Sequence, residues 1–331
     1  MRSIALFMMI SLTACNSQAP KESSQIERYD ASLDQIISAD ATVEVIATGY
    51  DWSEGPLWLE ELDMLLFSDV PQNTIYQWTE ADSASVYLSP SGYTDTLPRA
   101  GEREPGSNGL LLNKEGQLVL CQHGDRRVAL MQAPLNAPKP DFVTIAATYQ
   151  GKRFNSPNDA VFDKQGNLYF TDPPYGLPQQ MDDPAKELPF QGVYKVAPDG
   201  AVTLLVDSLT RPNGIALSPD EKSLFVANSD PERARWYRFE LSDSTVVSGK
   251  IFYDVTDLTA NEKGLPDGMK IDANGNVFAT GPGGVFIFNS EGKMLGKIKF
   301  EAATSNCALA DNDKTLYVTN DMNIIRITLR K

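Results

Sequence analysis

Histidine is nearly missing from this chain of 331 residues: there is one, His123, and there are only three cysteines. One imidazole and three thiols leave no room for a Cys/His zinc site with its closely spaced ligand pairs. Positive charge is also short. Lys and Arg number 29 against 44 Asp and Glu, a net charge of −15. That balance argues against nucleic acid as a partner and against adhesion to anionic lipid through a basic surface. The one pronounced apolar run near the start, residues 4–12, is too short to span a bilayer. With 42% hydrophobic residues the chain can still bury a large core, and an all-β chain of this length can form one domain.

The first residues, Met1-Arg2-Ser3, precede that short run, and Thr13-Ala14-Cys15 follow it. One positive charge, a short apolar core and small residues read as a secretory signal. Leu12-Thr13-Ala14-Cys15 also resembles a bacterial lipobox, which implies cleavage before Cys15 and lipidation of its thiol. An ordinary signal peptide with an incidental Cys15 is the other reading. Residues 1–14 are therefore expected to be a signal and residues 15–40 a lipidated cysteine with a flexible polar tether. Residues 41–331 are expected to be the folded domain, held at the periplasmic or cell-envelope side of a membrane by its lipid alone. Asn16 after the cysteine favours the outer membrane if the cell is Gram-negative. Cys121 and Cys307 fall within expected strands that are not adjacent, so both read as buried free thiols.

What the chain has is a repeat. Residues 156–176 read S-P-N-D-A-V-F-D-K-Q-G-N-L-Y-F-T-D-P-P-Y-G: a polar entrance, a short strand, a turn and a second strand. Related stretches begin at Glu54, Asn108, Asn158, Asn213, Asp267 and Asn306, in steps of 54, 50, 55, 54 and 39 residues. Further short β-rich runs lie between the copies. A period near fifty, with four strands per unit, predicts a six-bladed β-propeller. The alternating run 42–47 is expected to complete the short sixth blade and close the ring, so that no strand edge stays open. The innermost strand of each blade lines the central channel. The six lead residues would then form one ring of oxygen donors, although for any single copy Asn-Gly and Asp-Gly are also common turn formers. Two long insertions, residues 88–105 and 172–191, are expected to rim the channel mouth.

Two carboxylates with several amide oxygens make a hard ligand set. It suits a divalent cation, calcium first, with magnesium, manganese or zinc as alternatives. A purely structural ion in the channel is the plainer reading. The motifs S-E-G-P (53–56), S-P-N-D (156–159), R-P-N-G (211–214), L-P-D-G (265–268) and C-Q-H-G-D-R-R-V (121–128) together resemble the SMP-30/gluconolactonase/regucalcin-like (LRE-like) hydrolases. D-P-P-Y-G at 172–176 points to the bacterial gluconolactonase-like branch.

The resemblance implies a metal-dependent lactonase acting on a sugar-type or small lactone, with metal ligands at Glu54, Asn213 and Asp267. Asn158 would be a fourth ligand or a substrate contact. The cation would polarise the carbonyl and a carboxylate would activate water. Asp267 is the first choice for that base, with Asp159 or Asp172 as substitutes, and Asp172 reads equally well as a turn cap. The chemistry is thus expected of Asp267, Asn158 and His123, and substrate binding of Asn108, Asn158, Asp159 and Arg127. For His123 the readings are proton shuttle, substrate contact or turn stabiliser; for Arg126 and Arg127, an anchor or a solvated pair. Cys307 stands where the family has glycine, which puts a role for Asn306 in doubt. Phosphotriester hydrolysis on the same ring, or a surface binding propeller without catalysis, are the rival functions. A monomer is expected.

Overall fold

Each short run alternates apolar and polar side chains or is apolar throughout, and pairs antiparallel with the next run through a tight turn. The structure, a computed structural model, describes residues 25–97, 101 and 103–330. Six such sheets, each built around four antiparallel strands, stand side by side as the blades of a propeller. Their innermost strands are Ser53–Leu59, Ser107–Leu112, Ala160–Phe162, Pro212–Leu217, Met269–Ile271 and Asn306–Ala310. Every one of them begins within two residues of a lead residue of the repeat. The sixth blade is finished by Thr42–Thr48, which pairs antiparallel with Asn323–Thr328, so the two ends of the chain close the ring as expected.

The core lies between blades. Cys121 and Val128 of the second blade pack against Phe170 and Tyr194 of the third, and Phe278 and Ile287 of the fifth against Leu316 and Ile325 of the sixth. Cys121 and Cys307 are both buried free thiols inside these layers.

The glycines beside the lead residues have a reason other than turn chemistry. A Cβ on Gly55, whose φ is +51°, would lie 2.0 Å from the Asn108 carbonyl oxygen, and one on Gly214 would lie 2.2 Å from that of Asp267. These contacts cross from one blade to the next. Around the channel, innermost strands approach so closely that one blade's lead residue fills the space a side chain would need. Gly214→Ala is therefore expected to lose roughly 1–3 kcal/mol of stability through overpacking, measured by denaturant unfolding. A loss below about 0.5 kcal/mol would show that the blades can part there without strain.

Residues 25–40, expected to belong to the flexible tether, are instead folded onto the propeller. Gln25–Arg28 pairs with Met294–Lys299 as a fifth strand on blade five. The 3₁₀ turn Ala31–Gln35 then lowers Leu33 into the core between blades five and six, beside Ile36 and Ile37. Arg28 fastens this segment, pairing with Asp34 at 2.6 Å and donating to the Ile37 and Ser38 carbonyls at 2.9 Å each. The apolar spacing Leu33, Ile36, Ile37 is what overrides the polar average of the segment. The expected signal, residues 1–14, and Cys15 lie outside the described residues. Among the described residues no helix is long and apolar enough to cross a membrane.

Candidate active site

The repeat converges on one cavity of about 680 Å³ in the channel. Glu54, Asn108, Asn158, Asn213 and Asp267, one from each of the first five blades, line it. Asn306, the sixth lead residue, is not in the lining. Its Nδ2 stands 3.5 Å from Glu54 Oε2, and its Oδ1 accepts the Cys307 N–H at 2.8 Å. Asn306 therefore backs the ring, and Cys307 points into the core toward the Phe278 carbonyl.

Several ring oxygens have nothing to bond to. Oδ1 of Asn108, Asn158 and Asp267 are buried without a hydrogen-bond partner among the described residues, as is Oδ2 of Asp159. An orphaned buried acceptor costs on the order of 1–3 kcal/mol, so several in one place mark a site completed by something else. Asn213 is held from behind, its Nδ2 donating to Ser229 Oγ at 2.9 Å; Ser229 in turn donates to the Pro266 carbonyl. Glu54 Oε2 accepts the Gly55 N–H at 3.0 Å.

The electrostatics agree. Burial pushes the Glu54 carboxyl up to about 8, against the help of the Gly55 N–H and with the negative charges of Asp159 and Glu104 nearby. Asp267 is raised well above the carboxylate range by burial first, then by Glu54, Asp159 and Glu104. Without a cation these acids resist ionisation; a divalent cation reverses that field. Among the described residues no three or more Asp, Glu, His or Cys side chains gather as a ligand set. The donors here are two carboxylates and amide oxygens, which fit a hard cation such as calcium.

Other expected residues sit elsewhere. Asp159 is buried beside the ring, its Oδ1 accepting the Ala160 N–H at 2.9 Å, and is absent from the cavity lining. Asp172 is a turn clamp: its carboxylate accepts the N–H groups of Asn155 and Ser156 at 2.8 Å each. That removes it as a water-activating base. Arg127 is withdrawn from substrate, its guanidinium donating to Gln122 at 2.6 Å and Thr144 at 3.0 Å and pairing with Asp125 at 2.9 Å. Arg126 is buried and donates to the Phe154 and Ala185 carbonyls. His123 is fully buried behind Asn158 rather than facing the cavity.

Three segments shape the mouth. The two insertions contribute Glu104 and Tyr175, as their length implied, while residues 259–265 between blades four and five form a third wall. Glu104 went unrecognised because nothing in an aperiodic loop marks which residue turns inward. The third wall has a buried brace: Lys297 pairs with Glu262 and lies 4.5 Å over the Phe286 ring.

A six-bladed propeller whose channel holds an acidic, oxygen-rich ring under a mouth of long loops is the architecture of a propeller hydrolase with its site in the channel. This chain belongs to the SMP-30/gluconolactonase/LRE-like family, whose model matches residues 52–321. It is similar to a gluconolactonase of Zymomonas mobilis, 37% identical over 308 residues, covering 92% of this chain and 85% of the relative. It is also similar to a lactonase of Staphylococcus epidermidis, 35% identical over 200 residues, covering 56% of this chain and 54% of that one. Among solved structures, a gluconolactonase from Xanthomonas campestris superposes with a TM-score of 0.79 at 28% identity, over 96% of this chain and 99% of the other.

Proposed function

We propose that the protein is a metal-dependent lactonase that opens a sugar-type or small lactone by hydrolysis. The observation that carries this is the ring itself: five lead residues on one cavity, three of them with a buried oxygen that has no partner among the described residues. The named activities of the similar proteins support it.

Glu54, Asn158, Asn213 and Asp267 would hold the cation, calcium by the chemistry of the donor set. When bound, the cation supplies Lewis acidity to a carbonyl oxygen. The rest falls to side chains. Asp267 accepts the proton of the attacking water and returns it to the ring oxygen as the C–O ester bond breaks, leaving a hydroxy acid. Asn108 and Tyr175, on the cavity wall, orient the lactone, and the mouth loops limit bulk water.

Acid release from gluconolactone and dihydrocoumarin, with spontaneous opening subtracted, tests the reading. Chelation is expected to cut turnover by about a hundredfold or more, with one of calcium, magnesium, manganese or zinc restoring it. Turnover indifferent to chelation would refute the metal dependence. Tight cation binding with no ester turned over would leave a binding propeller.

A further inference from the structure

Glu104 and His123 form a chain of contacts that ends on a ring amide. His123 is the one histidine of the sequence and is fully buried. Glu104 Oε2 approaches its Nδ1 to 3.3 Å, at ion-pair range and short of an in-line hydrogen bond. On the far side of the ring, Nε2 lies 3.4 Å from Nδ2 of Asn158.

An amide NH₂ group can only donate, so the second contact is favourable only while Nε2 carries no proton. In the neutral imidazole the proton then sits on Nδ1, on the side of the Glu104 carboxylate. The same contact decides how Asn158 is turned. With Nδ2 toward His123, Oδ1 points away from the imidazole, and Oδ1 is the buried atom without a partner among the described residues. The opposite flip would set a carbonyl oxygen against the Nε2 lone pair. It would also present an NH₂ group to the cavity that Glu54 and Asp267 share, where a cation could not accept it.

We propose that Glu104 is a positioning residue: through His123 it fixes the tautomer that turns the Asn158 carbonyl oxygen into the cation site. This deepens the reading of the ring as a cation site and rests on it. Outer groups that orient a ligand in this way commonly set tenfold or more of the affinity.

Because there is one histidine, ¹⁵N-histidine labelling of the whole protein gives a single pair of ring-nitrogen signals. The expected result is a protonated Nδ1 and an unprotonated Nε2. In parallel, calcium chloride is titrated into wild type, Glu104→Ala and Glu104→Gln by calorimetry. Alanine is expected to weaken calcium binding about tenfold or more and to mix the tautomers. Glutamine, which keeps a carbonyl oxygen on the Nδ1 side, restores both. Glu104 lies on a partly exposed loop, so truncation spares the core; Glu104→Asp, which withdraws the carboxylate from Nδ1, is a second weakening variant.

A protonated Nε2 in the wild type overturns the proposal. So does calcium binding by the alanine variant equal to wild type. Equal losses in alanine and glutamine would show that the charge acts through space and not through the imidazole. Wild type that binds no calcium, with the expected tautomer intact, would sink the reading of the ring and the proposal with it, and identify the ring as the failed step.

Discussion

Asp267→Asn is expected to lower lactone turnover by roughly a thousandfold while leaving the propeller folded. The substitution keeps the size of the side chain and removes one charge from the ring. In the proposed chemistry Asp267 has two duties, holding the cation and taking a proton from water, and a calcium titration separates them. If Asp267 is only a ligand, saturating calcium refills the weakened site and turnover returns. If it is also the base, kcat stays low at any calcium concentration, because an amide cannot accept the proton. The melting temperature of the metal-free variant should equal or exceed that of the metal-free parent. Asp267 is raised by burial and by Glu54 and Asp159, so neutralising it relieves a strain. Turnover within about threefold of wild type at equal calcium would remove Asp267 from the site.

The ring was legible in the sequence because its information is periodic. Asn108, Asn158, Asn213 and Asp267 each open a strand–turn–strand unit, and phase alone carried them to the channel. Blade closure by Thr42–Thr48 was legible for the same reason: a six-blade repeat one strand short at its end needs one at its start. The glycines were harder to interpret, since Asn-Gly is a turn signature, whereas Gly214 answers to the carbonyl of Asp267 in the neighbouring blade. Contacts between repeats leave no local pattern. Glu104 was not legible at all. It reaches the cavity on a loop whose path depends on tertiary packing, and no strand or helix period can say which way such a residue turns. Arg127 and His123 show the opposite error: both lie in a distinctive motif, yet Arg127 bonds within its own blade and His123 stands one layer behind the cavity. A distinctive motif does not by itself say which of its residues line the cavity.

Calcium should raise the melting temperature far more at pH 8 than at pH 5. The sign follows from the ring carboxyls. Glu54 rises from its ordinary value of 4.5 to about 8 on folding, and Asp267 moves the same way. A carboxyl raised in the folded state stabilises it below the unfolded pKa, where it is protonated in both states. That contribution is lost as pH climbs toward the folded value. The metal-free protein therefore loses stability between about pH 4.5 and pH 8 from this source. Asp172, raised to about 7 by burial, adds to the same slope. Calcium held by the ring as proposed would require the ionised carboxylates, so it would compete with protons and bind best where the metal-free protein is weakest. At a hundredfold excess over its dissociation constant it adds about 2.7 kcal/mol, a rise of about 4 °C for a chain of this size. At pH 5 the shift should nearly vanish. Glu54→Gln separates the contributions: it removes most of the calcium response and part of the metal-free slope, while the share from Asp172 remains. A calcium shift of the same size at both pH values would mean that the ring carboxyls are already ionised in the empty site. Burial would then not be the force that holds their protons.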